Sequence, residues 1–326
     1  MSKTKTLWHS LPRHFLILAP MEGVTDVVFR QVIAKAGRPD LFFTEFTNVS
    51  SFASDQGRTN ALERLDTTPS DHPIIAQIWG KNPEHFAQLA TALPELNFQG
   101  LDINMGCPDR HVNKAGGGAA MIKSPELALE CLHQARTHTS LPVSVKTRLG
   151  FSSITEYQAW LTLLLRQDLP ALTVHLRTRK EMSKVSAHFE LIPELVALRD
   201  RVAPATRLII NGDIKDRTHT QELARKHPGV DGFMIGRGVF TNPFCFTSQT
   251  PTQAQLLNLL HLHLDLFDQR QATLASHGSR YPFEPLKRFF KIYLHSFPGA
   301  AELRAKLMLA KDTTTVRQII QDFETT

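Results

Sequence analysis

The sequence predicts an α/β fold: a (β/α)8 TIM barrel followed by a small C-terminal helical domain. Eight short apolar or β-branched runs recur along the chain, with helix-compatible segments between them. The strand signal stops near residue 245, and the remainder of the chain reads as helix. Continuous apolar runs of this length suit strands buried on both faces. Eight strand–helix alternations fit a closed barrel. An open doubly wound sheet is the alternative built from the same elements.

The runs, in order, are FLILAP (15–20), LFFTEFT (41–47), PIIAQIW (73–79), GLDINMG (100–106), PVSVKTR (142–148), ALTVHLR (171–177), RLIING (207–212) and VDGFMIG (230–236). Between them, PEHFAQLATALPEL (83–96) and SPELALECLHQARTH (124–138) carry helical patterns. The second opens with Ser124 as N-cap, Pro125 at the first helical position and Glu126 in the first turn. Beyond the last strand, 253–277, 285–297 and 300–311 read as helices, broken at His277-Gly278-Ser279, Pro282 and Pro298-Gly299. Residues 1–245 are therefore expected to form the barrel and 246–326 the helical domain.

The 326 residues are 42% apolar and 21% charged, which excludes disorder, collagen and a coiled coil as global descriptions. A net charge of +6 tilts slightly toward a polyanionic partner. The tail is locally basic: seven Lys/Arg between Arg280 and Lys311 face only Glu284 and Glu302. Cys107, Cys131 and Cys245 form neither a disulfide framework nor a metal spacing. They fit a reducing cytosol, and a cytoplasmic monomer without metal is expected. Lys3 and Lys5 precede FLILAPM (15–21), which is too short for a signal segment. No run approaches the roughly 20 apolar residues of a membrane span.

In such a barrel the active site lies at the carboxyl ends of the strands. Those ends carry Pro20, Met21 and Glu22; Glu45; Gln77; Asn104 and Cys107; Lys146 and Arg148; His175 and Arg177; Asn211, Gly212 and Asp213; Gly236 and Arg237. The turns NGD (211–213) and IGRG (235–238) follow the seventh and eighth strands, where barrels often bind phosphate on free backbone N–H groups. Glycines admit close approach, and Arg237 can fork onto phosphate oxygens. Lys146 and Arg148 are two residues apart and share a strand face. They suit an electron-rich ring, a phosphate or a rim salt bridge. His175 reads either as a core histidine or as a cofactor ligand. Cys107 stands in GCP before a glycine-rich loop, whereas Cys131 and Cys245 read as structural.

LAPMEGVTD (18–26), LDINMGCPDRHVNKAGGGAAMIKSP (101–125), PVSVKTRLG (142–150), TVHLRTR (173–179), IINGDI (209–214) and VDGFMIGRGVFTNPFCF (230–246) resemble the tRNA-dihydrouridine synthases. These flavin enzymes reduce specific uridines of tRNA. The resemblance implies FMN as cofactor, NADPH as electron donor and tRNA as partner. It places Pro20, Met21 and Glu22 against FMN, with Gln77 and Lys146 bonded to its ring and His175 helping to hold it. Asn211, Gly212, Asp213, Gly236 and Arg237 would hold the phosphate end. Asn104 would read the uracil edge, Arg148 would contact substrate or cofactor, and Cys107 would be the acid. The tail falls where the family binds RNA, with Lys287, Arg288 and Lys291 expected on tRNA phosphates. Glu22 in place of the usual small residue, together with PLKRFFKIYL in the tail, resembles the subfamily acting on uridine 16 of the D-loop. Leu176 and KEMSKVSAHFE (180–190) depart from the family pattern. A flavin barrel acting on a free pyrimidine, a non-catalytic RNA-binding barrel and a phosphate-binding isomerase are the competing readings.

Overall fold

Eight parallel strands form one sheet in the order β1-β8-β7-β6-β5-β4-β3-β2 in a computed structural model that describes residues 6–325. Lys3 and Lys5 lie outside the described residues. The strands are β1 (Phe15–Leu18), β2 (Phe42–Asn48), β3 (Ile74–Trp79), β4 (Gly100–Met105), β5 (Val143–Arg148), β6 (Ala171–His175), β7 (Arg207–Asn211) and β8 (Gly232–Ile235). Each lies within one of the eight apolar runs, give or take a terminal residue. The remaining edges meet where Ile17 bridges Leu41 and the Leu18 N–H donates to the Leu41 carbonyl at 3.2 Å. The sheet is thus closed into a barrel.

Strand periodicity sorts the side chains into two layers. On β4, Leu101, Ile103 and Met105 pack outward against helices, so Asp102 and Asn104 point into the barrel. The lower interior is apolar: Phe15, Ile17, Phe43, Ile75, Ala171, Ile209 and Met234 form their own cluster. Trp8, on a helix at Thr6–Ser10 that the sequence pattern does not announce, closes this cluster from below. The upper interior is polar. The registers Gln77↔Asp102, Asn104↔Lys146, Arg148↔His175 and His175↔Asn211 bring these side chains into neighbouring tiers.

The helices differ from expectation in detail. The first becomes α-helix at Pro83–Ala92 and tightens to a 3-10 turn at Leu93–Leu96, around Pro94. The second runs Pro125–Thr137, with Ser124 in the N-cap position but making no side-chain cap bond. The expected helix 285–297 is a 3-10 segment, Glu284–Phe289, and a single α turn, Phe290–Tyr293. Leu286, Phe289, Phe290, Ile292 and Tyr293 are all buried there. So many large apolar side chains in eight residues need partners on several sides, and a single amphipathic stripe would not place them all. Gln253–Ser276 forms as expected, Ala300–Met308 falls slightly short, and Thr313–Glu324 is an addition.

The tail packs on the barrel through aromatic contacts. Phe289 lies 5.0 Å from Phe29 and 4.9 Å from His263, ring centre to ring centre. His263 Nδ1 meets the Tyr293 hydroxyl at 2.7 Å, and burial pushes the imidazole down to about 3. Beside this packing, Arg30 is fully buried. It donates to the Asp71 carboxylate at 2.8 Å, the Thr25 carbonyl at 2.8 Å and the Asp66 carbonyl at 2.5 Å. Asp71→Ala would strand that guanidinium. We expect it to cost about 3–5 kcal/mol, the range for breaking a buried pair from one side, read as a shift in urea midpoint. A change below about 1 kcal/mol would show that the two carbonyls suffice.

Candidate active site

A cavity of about 890 Å³ opens at the carboxyl ends of the strands. β3 supplies Gln77, β4 Asn104, β5 Lys146 and Arg148, β6 His175 and β7 Asn211. The loops above add Pro20 and Met21, Cys107, Gly212 and Asp213, and Gly236 and Arg237. Glu22 is not among the lining groups. Its carboxylate lies 2.5 Å from Arg64 on the rim. Its backbone neighbour Gly23 donates to Glu45, a buried carboxyl pushed up to about 7 by burial and by the charges of Asp26 and Glu22. Lys287, Arg288 and Lys291 also lie off the cavity.

The two turns expected to face a phosphate differ in character. Gly212 has φ +116°, and a Cβ there would come within 2.8 Å of the His175 ring, so only glycine fits. Gly236 is the opposite case. A Cβ would meet only Ala19 and Met21, at 3.6 and 3.7 Å, and would project into open cavity. The fold does not need a glycine there, whereas a ligand approaching the backbone does. Asp213 offers no donor through its side chain. Its carboxylate pairs with Arg177, accepts the Ala187 N–H at 2.9 Å and holds Arg237 at 2.7 Å. Its carboxylate thus orients two cations at the cavity wall.

His175 is neutral: burial first, then Arg148, Lys146, Arg177 and Arg237, holds its pKa well below the ordinary value. Arg177 Nη1 sits 3.1 Å from His175 Nε2, and a guanidinium only donates. Nε2 is therefore the acceptor, and the ring's proton is on Nδ1. Burial, and then Arg148, lowers Lys146 to about 8, while Asp102 and Cys107 pull it back up. Cys107 is half-buried, and burial raises its thiol above the ordinary range. At neutral pH it carries its proton. Lys146 and Arg148 act the other way and favour the thiolate. The thiol can thus give up a proton beside two cations that stabilise what is left.

Arg148 and Asn104 are more engaged within the protein than the sequence suggested. Arg148 donates to the carbonyls of Gly106 (2.7 Å), Thr178 (3.0 Å) and Met182 (3.0 Å). It braces the loop after β4 against the loop after β6. Asn104 accepts the N–H groups of Gly106 (3.1 Å) and Cys107 (2.9 Å) on Oδ1, and Nδ2 donates to Gln77 Oε1 at 3.0 Å. One N–H of its amide is left over. Strand-end reasoning omits Asp102, the carboxylate below this amide, although period two from Asn104 points to it. It also gives no weight to Met182 and Ser183, whose place on the cavity wall comes from a loop without periodic signal.

The sequence matches the dihydrouridine synthase family over residues 17–325. The chain belongs to that family. It is 52% identical to the probable tRNA-dihydrouridine synthase 2 of Bacillus subtilis (strain 168), over 98% of this chain and 97% of the relative. It is 48% identical to a probable tRNA-dihydrouridine synthase of Staphylococcus aureus (strain Mu50 / ATCC 700699), over 98% and 96% of the two chains. Among solved structures, morphinone reductase in complex with tetrahydroNAD shares 15% identity at a TM-score of 0.49, covering 72% of this chain and 86% of that one. As a dihydrouridine synthase the chain is an enzyme, a flavin oxidoreductase. Among the described residues there is no helix long and apolar enough to cross a membrane, and no group of three or more His, Cys, Asp or Glu placed to hold a metal.

Proposed function

We propose that this protein reduces a uridine of tRNA to 5,6-dihydrouridine, using FMN and NADPH, with Cys107 as the proton donor to C5. The observation that carries this reading is a protonated thiol and a partly depressed ammonium facing one cavity. The lining fits FMN. Lys146 and the uncharged His175 suit a ring that becomes electron-rich, and Gln77 suits its heteroatom edge. Gly236, which lines the cavity and whose backbone a ligand can approach, and Arg237, half-exposed beside it, suit the phosphate.

FMN held by these residues would supply the hydride chemistry for C6 of the uracil, with NADPH as the source of its electrons. The chain's own residues do the rest. Cys107 gives its proton to C5, and Lys146 and Arg148 stabilise the thiolate that forms. The spare N–H of Asn104 suits a uracil carbonyl oxygen, since an amide N–H can only donate. The uridine has to leave the tRNA fold to reach the strand ends. The D-loop, and position 16 within it, is the expected target. The test is the visible flavin band of the purified protein, followed by NADPH-driven dihydrouridine formation mapped along tRNA. A colourless protein that cannot be loaded with FMN would end this reading.

The tail cations divide in a way the sequence did not show. Lys287 is bound to Glu284 at 2.8 Å and its side chain is only 12% exposed. Arg288 donates to the Gly23 carbonyl at 2.8 Å, which ties the tail to the β1 loop. Lys291 is exposed, its ammonium 5.2 Å above Phe240. We therefore expect Lys291→Ala to weaken tRNA binding and to lower the salt slope by about 0.7–0.9, the value of one phosphate contact. Lys287→Ala should change the slope less. Affinities across a salt series decide this, and equal slopes for wild type and Lys291→Ala would move the RNA elsewhere.

A further inference from the structure

Inside the barrel a hydrogen-bonded chain leads from a buried carboxylate to the catalytic loop. Asp102 is fully buried. Its Oδ1 accepts from Ser144 Oγ at 2.6 Å and its Oδ2 from Gln77 Nε2 at 2.8 Å. Gln77 Oε1 accepts from Asn104 Nδ2, and Asn104 Oδ1 accepts the N–H groups of Gly106 and Cys107. The chain spans β5, β4, β3 and β4 again, and ends one bond from the Cys107 backbone.

The two ends dictate the direction of the middle. A carboxylate can only accept, and a backbone N–H can only donate. Gln77 must therefore turn its NH2 toward Asp102, leaving its oxygen for Asn104. Asn104 must turn its NH2 toward Gln77, leaving its oxygen for the loop. Both amides line the cavity, and each has one N–H in excess of these bonds. The polarity of the chain decides that the cavity is offered amide donors, and that the Cys107 loop is anchored by two acceptor bonds.

We propose that Asp102 is a positioning residue that sets this polarity, and through it the placement of Cys107 and the preference of the site for ligand carbonyl oxygens. The inference rests on the reading of Cys107 as proton donor. Without the carboxylate, Gln77 loses the partner that distinguishes its two ends and can turn over. Asn104 then faces a like group, and its hold on the loop loosens. The Lys146 ammonium also attracts Asp102, so charge offers a rival explanation of any effect.

Three variants separate polarity from charge. In Asp102→Asn the amide oxygen can still accept from Gln77 while its NH2 donates to Ser144, so polarity survives and charge is lost. In Asp102→Ala both are lost. In Asp102→Asn/Ser144→Ala residue 102 keeps its volume and hydrogen-bonding groups, but the serine hydroxyl is gone and nothing fixes which way the new amide points; this variant serves if Asp102→Ala does not fold. Two readouts apply. The first is the alkylation rate of Cys107 by iodoacetamide in flavin-free protein, with the buried Cys131 and Cys245 as internal controls. The second is kcat and KM for tRNA reduction.

We expect Asp102→Asn to stay near wild type in both. Asp102→Ala and the double variant should alkylate about tenfold faster and lose on the order of 100-fold in kcat, the scale of a small misplacement at a reacting group. Wild-type behaviour of Asp102→Ala would overturn the proposal. So would an Asp102→Asn loss as large as that of Asp102→Ala, since that would assign the effect to charge. If wild type reduces no uridine, the reading of the function fails, while the alkylation contrast still decides the polarity of the chain.

Discussion

Cys107→Ala is expected to lose about 10²–10⁴-fold in uridine reduction, the usual cost of removing a general acid, while FMN and tRNA still bind. The loss should fall on the second half-reaction alone. NADPH oxidation in the absence of tRNA should run at the wild-type rate, because no proton from the thiol is needed there. The thiol's environment supports this division. Burial keeps it protonated, and Lys146 and Arg148 lower the cost of the thiolate. The same environment fixes the sign of the pH dependence. A donor must hold its proton, so activity is flat below the raised thiol pKa and falls as pH rises through it. Cys107→Ser should keep the loop bonds, which run through backbone atoms, and still lose the reaction at neutral pH. Cys131→Ala, on the buried face of its helix, should leave the chemistry alone. Full turnover by Cys107→Ala would assign the proton to another group.

What was legible in the sequence was set by short-range rules. Strands buried on both faces must be apolar along their length, and all eight betrayed themselves in that way. The site was legible because it begins where those runs end: Gln77, Asn104, Lys146, His175 and Asn211 fall at strand ends, and all face one cavity. What escaped depends on partners far along the chain. Arg148 lines the cavity, but its Nε bond to Gly106, 42 residues away, has no signal in the sequence. The pairing of the Asp213 carboxylate with Arg177 and Arg237, 36 and 24 residues away, has no signal in the sequence. Glu22 turned toward Arg64, which carries no motif. Asp102 lies within an apolar run, where a single carboxylate is easily passed over, and its meaning appears only with Gln77, 25 residues distant. The tail shows the same limit: composition announced helix and basic charge, but the packing of its aromatic side chains decided that 284–293 would be a 3-10 segment and one α turn, with its cations dispersed.

Lys146→Met is expected to raise the stability of the flavin-free protein while abolishing its hold on flavin. The ammonium sits in the barrel with Arg148 beside it, and burial draws its pKa from 10.5 to about 8. At 1.36 kcal/mol per pKa unit, that depression is a penalty of roughly 3 kcal/mol on the folded state. The attraction of Asp102 is already contained in that value, so the variant gains about 3 kcal/mol at pH 7. The sign with pH is fixed. Between about 8 and 10.5 the unfolded chain holds a proton that the folded one has released, so wild-type stability rises with pH across that window. Above it the ammonium is gone from both states, and the advantage of the variant disappears. Asp102 adds nothing there: its carboxyl, raised to about 6 by burial, is ionised in both states above that pH. Urea melts at pH 7 and pH 10.5 measure the difference. A wild type more stable than the variant at pH 7, or a gap unchanged by pH, would refute the assignment. A cation that weakens the fold at its working pH is explained by what it does when the cavity is filled. On the proposed reading Lys146 would supply charge to the flavin ring, at the expense of the protein's own stability.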